Sequence, residues 1–223
     1  MKSDKPAVIF DMDGVIFDSE QAYIDIYRDL LTRDGITFIE QACIDAIGAN
    51  WLRTREIWHE YYGDAFDFEP YHTEAREILK NKSFPLKPYV HEIFNYLRER
   101  KIPTALASST REESVMRMLE EAKLTGCFDV IVCGDMVSHS KPHPEIFLTA
   151  AGRLGAAPGD CYVIEDSYNG IRCAHNAGMH PIMVPDVLQP DEEIRGLAEV
   201  VLPSLNEVTG YLEKQFDNDD VVL

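Results

Sequence analysis

The sequence contains few cysteines, and none of the five stands in a Cys-x-x-Cys pair. They are scattered along the chain at Cys43, Cys127, Cys133, Cys161 and Cys173. Their odd number and wide spacing argue against a disulfide framework and predict reduced thiols that are mostly buried. The chain also lacks an apolar run of roughly 18 residues, the length needed to span a bilayer. The short apolar run Val8–Phe10 predicts no signal peptide, so we expect a cytoplasmic protein.

Basic residues are also scarce in this sequence. Lys and Arg number 21 against 39 Asp and Glu, which gives a formal net charge of −18 over 223 residues. A surface this negative repels nucleic acids and anionic membranes, so we expect neither as a partner. It also repels phosphorylated ligands, and any phosphate-binding site must therefore provide its own local positive charge.

Short apolar runs that are rich in β-branched residues predict buried parallel strands. These runs are Ala7–Phe10, Thr104–Ala107, Val130–Val132, Tyr162–Ile164, Ile182–Val184 and Val200–Leu202. Between them, apolar residues recur at helical spacing, as in Val90, Ile93, Phe94 and Leu97. This alternation of strands and helices predicts an α/β fold whose core is a Rossmann-like, doubly wound parallel sheet.

One long stretch interrupts the alternation of strands and helices. Residues 18–83 show helical periodicity and no convincing strand, and one apolar stripe contains Tyr23, Tyr27 and Leu30. An insertion directly after the first strand lies above the carboxyl edge of the sheet, where open α/β sheets bind ligands. We therefore predict an α-helical cap over residues 18–83 and a core formed by residues 1–17 and 84–223.

Two carboxylates stand at the end of the first predicted strand, in the run Asp11-Met-Asp13-Gly14. Beyond a strand end, both can point at one place above the sheet, while Gly14 lets the backbone turn sharply. One carboxylate can attack phosphorus, and the other can hold a proton for the leaving oxygen if its pKa is raised. The alternative is an ordinary turn in which the Asp side chains bond to the local backbone.

Hydroxyl groups follow the second predicted strand, which Ser108 closes. A hydroxyl beside the amides of a helix N-terminus forms a cradle for phosphate, and Ser109 and Arg111 are candidates for further contacts with a substrate. The alternative is that Ser109 or Thr110 caps the following helix, and both roles can coexist.

Lys141 precedes Pro142, and a second proline at position 144 also stiffens the approach to a helix. A lysine held rigidly near carboxylates can neutralise them and bind a phosphoryl group. The alternative is an ordinary surface lysine.

Glu165 and Asp166 end the fourth predicted strand. Their oxygen atoms are hard ligands that suit Mg²⁺, which usually takes one or two protein carboxylates plus water and phosphate oxygens. The alternative is that Asp166 or Ser167 caps the following helix.

Taken together, these motifs resemble those of the haloacid dehalogenase superfamily. The matching residues are Asp11-Met-Asp-Gly-Val15, Ser108 at a strand end, Lys141-Pro142 and Glu165-Asp166-Ser-x-x-Gly170. More narrowly, the chain resembles the β-phosphoglucomutase-like phosphatases, which carry a helical cap after the first motif. The resemblance covers essentially the whole sequence.

This resemblance implies roles for the matching residues. Asp11 would be the nucleophile that forms an aspartyl-phosphate, and Asp13 the general acid that later activates water. Ser108 and Lys141 would bind the phosphoryl group. Magnesium would be held by Asp11, the backbone carbonyl of Asp13 and Asp166, with Glu165 assisting directly or through water.

The cap residues that are candidates for contact with a substrate are Glu20, Trp51 and Arg53. Trp51 could stack on a sugar or a base, and Arg53 could meet a second anion. Aromatic residues at helical spacing also serve packing, and Glu20 fits a salt bridge near the hinge equally well.

Two positions favour a phosphatase over a mutase. β-Phosphoglucomutases carry a hinge histidine where this chain has Tyr23, and a Gly-x-x-Arg arginine where this chain has Trp51. We therefore expect a monomeric enzyme that hydrolyses small phosphorylated metabolites, with sugar phosphates as the leading class. A β-phosphoglucomutase-type isomerase is the alternative. A binding protein without catalysis is disfavoured because every motif residue is present.

Overall fold

The computed structural model describes residues 6–219, and its centre is a six-stranded parallel sheet. The strands are β1 (Ala7–Phe10), β2 (Thr104–Ser108), β3 (Val130–Cys133), β4 (Cys161–Glu165), β5 (His180–Met183) and β6 (Val200–Val201). They lie in the order β3-β2-β1-β4-β5-β6, and every neighbouring pair is parallel. The predicted Rossmann-like sheet is therefore confirmed, and the predicted strand ends differ from the observed ones by at most two residues.

Ten α-helices are found within residues 6–219, and four of them come from the predicted insertion. They are α1 (Glu20–Arg33), α2 (Glu40–Ala46), α3 (Trp51–Tyr62), α4 (Glu69–Lys80), α5 (Val90–Glu99), α6 (Glu112–Glu121), α7 (Glu145–Leu154), α8 (Tyr168–Asn176), α9 (Glu192–Leu197) and α10 (Leu205–Asp219). No helix in this part of the chain combines the length and the apolar character needed to cross a membrane.

Helices cover both faces of the sheet because side chains alternate along each strand. Val8 and Phe10 of β1 are buried in the apolar cluster that also contains residues of α5, α6 and α10. Ala7 and Ile9 are buried in the cluster on the other face, with residues of α7 and α8. Four of the five cysteines are buried, and all five are free thiols, as predicted.

The four inserted helices enclose an aromatic core of their own. At its centre the Trp58 ring is fully buried, and its centroid lies 4.5 Å from that of Phe68 and 4.9 Å from that of Tyr27. Offset and tilted ring pairs at these distances add to the stabilisation from apolar burial. The insertion therefore has its own packed interior above the sheet.

Two chain segments join the insertion to the sheet, and they pair with each other. Phe17 and Leu86 form an isolated antiparallel bridge, while Asp18 N donates to Pro85 O at 2.9 Å. These contacts lie at the two junctions between the predicted cap and the predicted core. The boundaries 1–17, 18–83 and 84–223 stay a prediction, and residues 1–5 and 220–223 lie outside the described part of the chain.

Trp58 offers a test of how the insertion is held together. We expect Trp58→Ala to lower the free energy of unfolding by about 3–5 kcal/mol, because a large buried ring is replaced by a cavity. Trp58→Phe should cost clearly less, because it also removes a buried indole N–H that has no hydrogen-bond partner among the described residues. Urea denaturation followed by circular dichroism measures both values. Equal losses for the two variants would contradict this account.

Candidate active site

The chemically important residues meet because three adjacent strands end at the same edge of the sheet. Asp11 follows β1, Ser108 ends β2 and Glu165 ends β4, and β1 lies between the other two strands. The register pairs Phe10 with both Leu106 and Ile164, so the three strand ends lie side by side. All three side chains are buried.

Lys141 enters this cluster from the loop between β3 and α7. Its ammonium group is completely buried and donates to Oδ1 of Asp11 and to Oε1 of Glu165, each at 2.6 Å. It also donates to the carbonyl oxygen of Ala107 at 3.3 Å. Its alternative assignment as an ordinary surface lysine is therefore wrong.

Burial and charge act against each other in this cluster. Burial raises the pKa of Asp11 to about 7, while Lys141 lowers it and Glu165 raises it further. For Lys141, burial alone would lower the pKa, but Asp11 and Glu165 outweigh it and raise the pKa above its usual value. The lysine is therefore protonated, and its single positive charge offsets part of the charge of the two carboxylates.

Asp13 is held by hydroxyl groups at both of its oxygens. Ser19 Oγ donates to Oδ1 at 2.7 Å, and Thr110 Oγ1 donates to Oδ2 at 2.8 Å. Burial raises the pKa of Asp13, and the two hydroxyl hydrogen bonds oppose that shift. A carboxyl group with a raised pKa, fixed beside Asp11, has the properties of a proton donor.

Asp166 has an incomplete set of partners. Its Oδ2 atom is buried and accepts no hydrogen bond from the described residues. Burial raises its pKa well above the usual range, and the nearby Glu20 and Glu165 add to the shift. Carboxylate oxygens of Asp11, Glu165 and Asp166 lie within 4.8 Å of one another. Such an all-oxygen set of acidic groups fits a hard divalent cation, so these three residues form a possible metal site.

The carboxylates of Glu165 and Asp166 differ in how many hydrogen bonds they accept. While Oε1 of Glu165 binds Lys141, its Oε2 accepts hydrogen bonds from Asp166 N, Ser167 N and Ser167 Oγ at 2.9–3.1 Å. Oε2 of Glu165 is therefore saturated by protein donors while Oε1 binds Lys141, whereas Oδ2 of Asp166 has no partner among the described residues.

Glycines leave the room that these carboxylates need. A Cβ atom at Gly14, whose φ is +74°, would lie 2.1 Å from Oδ2 of Asp166. A Cβ atom at Gly170 would lie 1.8 Å from the carboxylate carbon of Glu165. Both distances are shorter than real Cβ contacts. A side chain at either position would therefore displace the carboxylate of Asp166 or of Glu165.

The helix-capping alternatives can now be decided. Helix α6 begins at Glu112 with Arg111 at its N-cap and no side-chain cap, so capping by Ser109 or Thr110 is wrong. Instead, Ser109 Oγ donates to the carbonyl of Gly48 at 2.7 Å, and Thr110 binds Asp13. Ser167 does cap α8, by accepting from Gly170 N at 3.0 Å.

A cavity of about 190 Å³ lies between the inserted helices and the edge of the sheet. Most of the predicted core and cap residues line it, namely Asp11, Asp13, Glu20, Trp51, Ser108, Ser109 and Arg111. Trp51 also packs, because its ring stacks on that of His72 with a centroid distance of 4.1 Å. Arg53 needs correction: it pairs with Glu56 at 3.0 Å and Glu60 at 3.2 Å, at a separate surface depression.

Sequence reasoning missed several residues of this cavity. They are Tyr27, Thr54, His72, Arg76, Lys80, Ser114 and Arg117. The i, i+4 spacing of Arg76 and Lys80 on α4 placed both on one helix face, which was a usable signal. The hydroxyl group of Thr110 that binds Asp13 had no local signal, because Thr110 lies 97 positions away along the chain.

Comparisons with known proteins agree with this architecture. The family model described as haloacid dehalogenase-like hydrolase matches residues 8–184. A probable pseudouridine-5'-phosphatase from Drosophila melanogaster is 32% identical over 202 residues, which are 86% of this chain and 87% of the relative. A phosphorylated carbohydrates phosphatase from Thermotoga maritima is 33% identical over 179 residues, 79% and 83% of the two chains. The chain therefore belongs to the haloacid dehalogenase-like hydrolases.

The fold has close counterparts among solved structures. A crystal structure of β-phosphoglucomutase from Clostridium difficile aligns with a TM-score of 0.79 and covers 97% of this chain and 99% of that one. At 23% sequence identity, this likeness shows a shared fold and nothing about the reaction.

The buried ion cluster predicts a stability change that depends on pH. Lys141→Met leaves Asp11 and Glu165 buried without a countercharge, so we expect a loss of about 3–5 kcal/mol at pH 8. An acid whose pKa is raised by folding stabilises the fold while it is protonated and loses that contribution as the pH rises through the folded pKa. The loss should therefore shrink toward pH 5.

Urea denaturation in the presence of a chelator measures this loss. Lys87→Met is the matched control, because Lys87 pairs with Asp186 at 2.6 Å but its side chain is 20% exposed. A loss for Lys141→Met that is independent of pH, or no larger than that of Lys87→Met, would contradict the buried-cluster account.

Proposed function

We propose that the protein is a Mg²⁺-dependent phosphatase of small phosphorylated metabolites that works through an aspartyl-phosphate on Asp11. The observation that carries this proposal is the Lys141 ammonium between Asp11 and Glu165, with Asp13 held beside it at the floor of the cavity. This arrangement supplies a nucleophile, a proton donor and a fixed positive charge within one small volume.

The first step transfers the phosphoryl group to the protein. A carboxylate oxygen of Asp11 attacks phosphorus in line, and the bond between phosphorus and the ester oxygen breaks. Asp13 gives its proton to that leaving oxygen, so the product leaves as a neutral alcohol. Lys141 and the hydroxyl of Ser108 hold the phosphoryl oxygens, which brings two anions close enough to react.

The second step returns the protein to its starting state. Asp13, now ionised, takes a proton from water, and the water oxygen attacks the phosphorus. The bond between phosphorus and Asp11 breaks, which releases inorganic phosphate and regenerates the carboxylate. Ser19 and Thr110 hold Asp13 in place through both steps, so the same oxygen can give and receive the proton.

The residues present fit a magnesium ion. Asp11, Asp166 and the carbonyl of Asp13 would hold it, and the orphaned Oδ2 of Asp166 is the observation that supports this choice. Glu165 would assist directly through Oε1 or through water, because protein donors already saturate its Oε2. When bound, the ion offsets the negative charge of the phosphoryl group.

The cavity limits the class of substrate. Its volume of about 190 Å³ is below the range of roughly 300–1,000 Å³ that is usual for pockets that take drug-sized ligands. A phosphorylated sugar or polyol is therefore a better fit than a large nucleotide or a protein. The relative named for phosphorylated carbohydrates supports the same class.

Hydrolysis is favoured over isomerisation by the cap side of the cavity. Tyr23 and Trp51 line it at the positions where a mutase of this type carries a histidine and an arginine. A mutase must protect its aspartyl-phosphate from water and bind a doubly phosphorylated intermediate. A monomer in the cytoplasm stays our expectation for the protein as a whole.

The two aspartates give a direct test of the chemistry. We expect Asp11→Asn to abolish turnover of every substrate because the amide is not a nucleophile. Asp13→Asn should still accept the phosphoryl group of 4-nitrophenyl phosphate, whose leaving group needs no proton, but it should then hydrolyse its aspartyl-phosphate slowly because the base is missing. A burst of 4-nitrophenol without matching phosphate release would show this. Asp18→Asn is the matched control, since this neighbouring aspartate is 55% exposed. Phosphate release is the measurement. Rapid hydrolysis of sugar phosphates by either active-site variant would contradict the role assigned to the aspartate that it lacks.

A substrate panel with and without chelator tests the metal and the reaction class. We expect phosphate release from sugar phosphates in Mg²⁺ and complete loss in a chelator, with recovery when Mg²⁺ is restored. Release that persists in chelator would contradict the metal requirement. Conversion of β-glucose 1-phosphate to glucose 6-phosphate without phosphate release would identify a mutase instead.

A further inference from the structure

The cavity carries a wall of cationic side chains that the proposed chemistry does not use. They lie on α4 and on α6 with its N-cap, and we refer to Arg76, Lys80, Arg111 and Arg117 as the basic wall. The acidic side chains that line the cavity within the described residues come from elsewhere, from the end of β1 and the start of α1. These are Asp11, Asp13 and Glu20. A chain with a net charge of −18 thus places four cations around one small cavity.

The ion-pair partners of the basic wall are weak competitors. Arg76 lies 3.9 Å from Glu113, and Arg117 lies 3.0 Å from Glu121. The two glutamate side chains are 72% and 46% exposed. Pairs with such exposed carboxylates contribute little stability, so a ligand anion inside the cavity can replace them.

The imidazole side chain beside the basic wall adds no charge of its own. Burial of His72, together with the positive charges of Arg76 and Arg111, lowers its pKa to about 4. The ring is therefore neutral at physiological pH. Its Nδ1 atom forms a hydrogen bond with the hydroxyl of Tyr27 at 3.1 Å, and the ring stacks on that of Trp51. The positive charge of the wall thus remains available to an anion.

We propose that the substrate is a small phosphomonoester with a second anionic group, a carboxylate or a second phosphate, which Arg76 of α4 and Arg117 of α6 bind. This inference rests on the proposed phosphatase function. The phosphoryl group that reacts is already served by Lys141, which is buried beside Asp11 at the edge of the sheet. The guanidinium groups of the basic wall therefore meet the other end of the molecule, where planar donors suit carboxylate and phosphate oxygens.

A purely structural role for these cations is the competing explanation. Glu113 of α6 lies near both Arg76 and Lys80 of α4, at 3.9 and 4.0 Å, and Arg117 Nη2 donates to the carbonyl of Leu79 at 3.3 Å. These contacts join the insertion to the core helices. If these contacts only held the insertion against the core, their loss would change kcat/KM equally for all substrates, whereas loss of a binding site would change it more for some substrates than for others.

The test compares substrates that differ only in the second anion. Glycerol 1-phosphate carries a hydroxymethyl group at the position where 3-phosphoglycerate carries a carboxylate. Fructose 1-phosphate and fructose 1,6-bisphosphate differ by the second phosphate. The ratio of kcat/KM within each pair is the readout, and the two pairs distinguish a carboxylate from a phosphate.

We expect the wild-type enzyme to prefer the doubly anionic member of at least one pair. Arg76→Ala and Arg117→Ala should each lower that preference by about tenfold or more, because charge-assisted hydrogen bonds are lost. Arg55→Ala, which removes an exposed arginine of α3, should leave the ratio unchanged. Glu113→Gln should maintain or increase the preference, because it removes a competing carboxylate. A wild-type enzyme that prefers the singly anionic member of both pairs, or ratios that do not change in Arg76→Ala and Arg117→Ala, would overturn the proposal.

A binding measurement separates this inference from the phosphatase proposal. In the Asp11→Asn variant, the doubly anionic compound should raise the melting temperature more than its singly anionic partner, and Arg76→Ala should remove that difference. If no substrate is hydrolysed but this difference is seen, the proposed function fails and the anion site stands. If phosphate is released but the difference is absent, the anion site fails and the phosphatase stands.

Discussion

A lysine ammonium enclosed between two carboxylates is the constraint on which the rest of this structure depends. Taking three charges out of water costs several kcal/mol for each ion, and only close contacts can offset that cost. Lys141 achieves this with distances of 2.6 Å to Asp11 and to Glu165. Those distances require β1 and β4 to be neighbours that end at the same level. The strand order therefore serves the charge cluster as well as the burial of apolar side chains.

The inserted helices depend on the same edge of the sheet. The loop before α3 makes hydrogen bonds of 2.7–2.9 Å to two core loops and to the first turn of α8, and each of these segments contains or adjoins a residue of the site. The bonds are Ser109 Oγ to Gly48 O, Asn50 N to Ser140 Oγ and Asn169 Nδ2 to Ile47 O. Ser109 follows Ser108, Ser140 precedes Lys141, and Asn169 is close to Asp166 in the chain. The contacts between the insertion and the core thus help to fix the segments that hold the reacting groups.

The parts of the fold and site that sequence predicts well are those with a local signature. Buried parallel strands are continuous apolar runs, and residues such as Asp11 and Glu165 mark their ends, so both the sheet and its charged edge were accessible. The roles of Thr110 and Ser109 could not be predicted in this way, because Ser and Thr have the same preference for helix N-termini whether or not a partner lies far away in the chain. Their hydroxyl groups bind Asp13 and Gly48, and only the three-dimensional fold brings these partners near.

The error at Arg53 has a different cause, and one that helical geometry could have prevented. Residues two apart on a helix point about 200° apart, so Trp51 and Arg53 cannot face the same cavity. Thr54, three positions after Trp51, lies on the same helix face and lines the cavity with it. The outward direction leaves Arg53 to pair with glutamates of its own helix.

The charge distribution resolves an apparent conflict between an acidic chain and a phosphorylated ligand. Charges on the surface are screened over about 8–10 Å in physiological salt, so the net charge of −18 acts mainly as a weak repulsion at a distance. Inside a cavity of about 190 Å³, a few cations act over distances shorter than this screening length. We therefore expect Arg76 and Arg117 on the wall, with Lys141 buried behind Asp11, to determine what binds there. The acidic exterior and the cationic interior are compatible because they act over different distances.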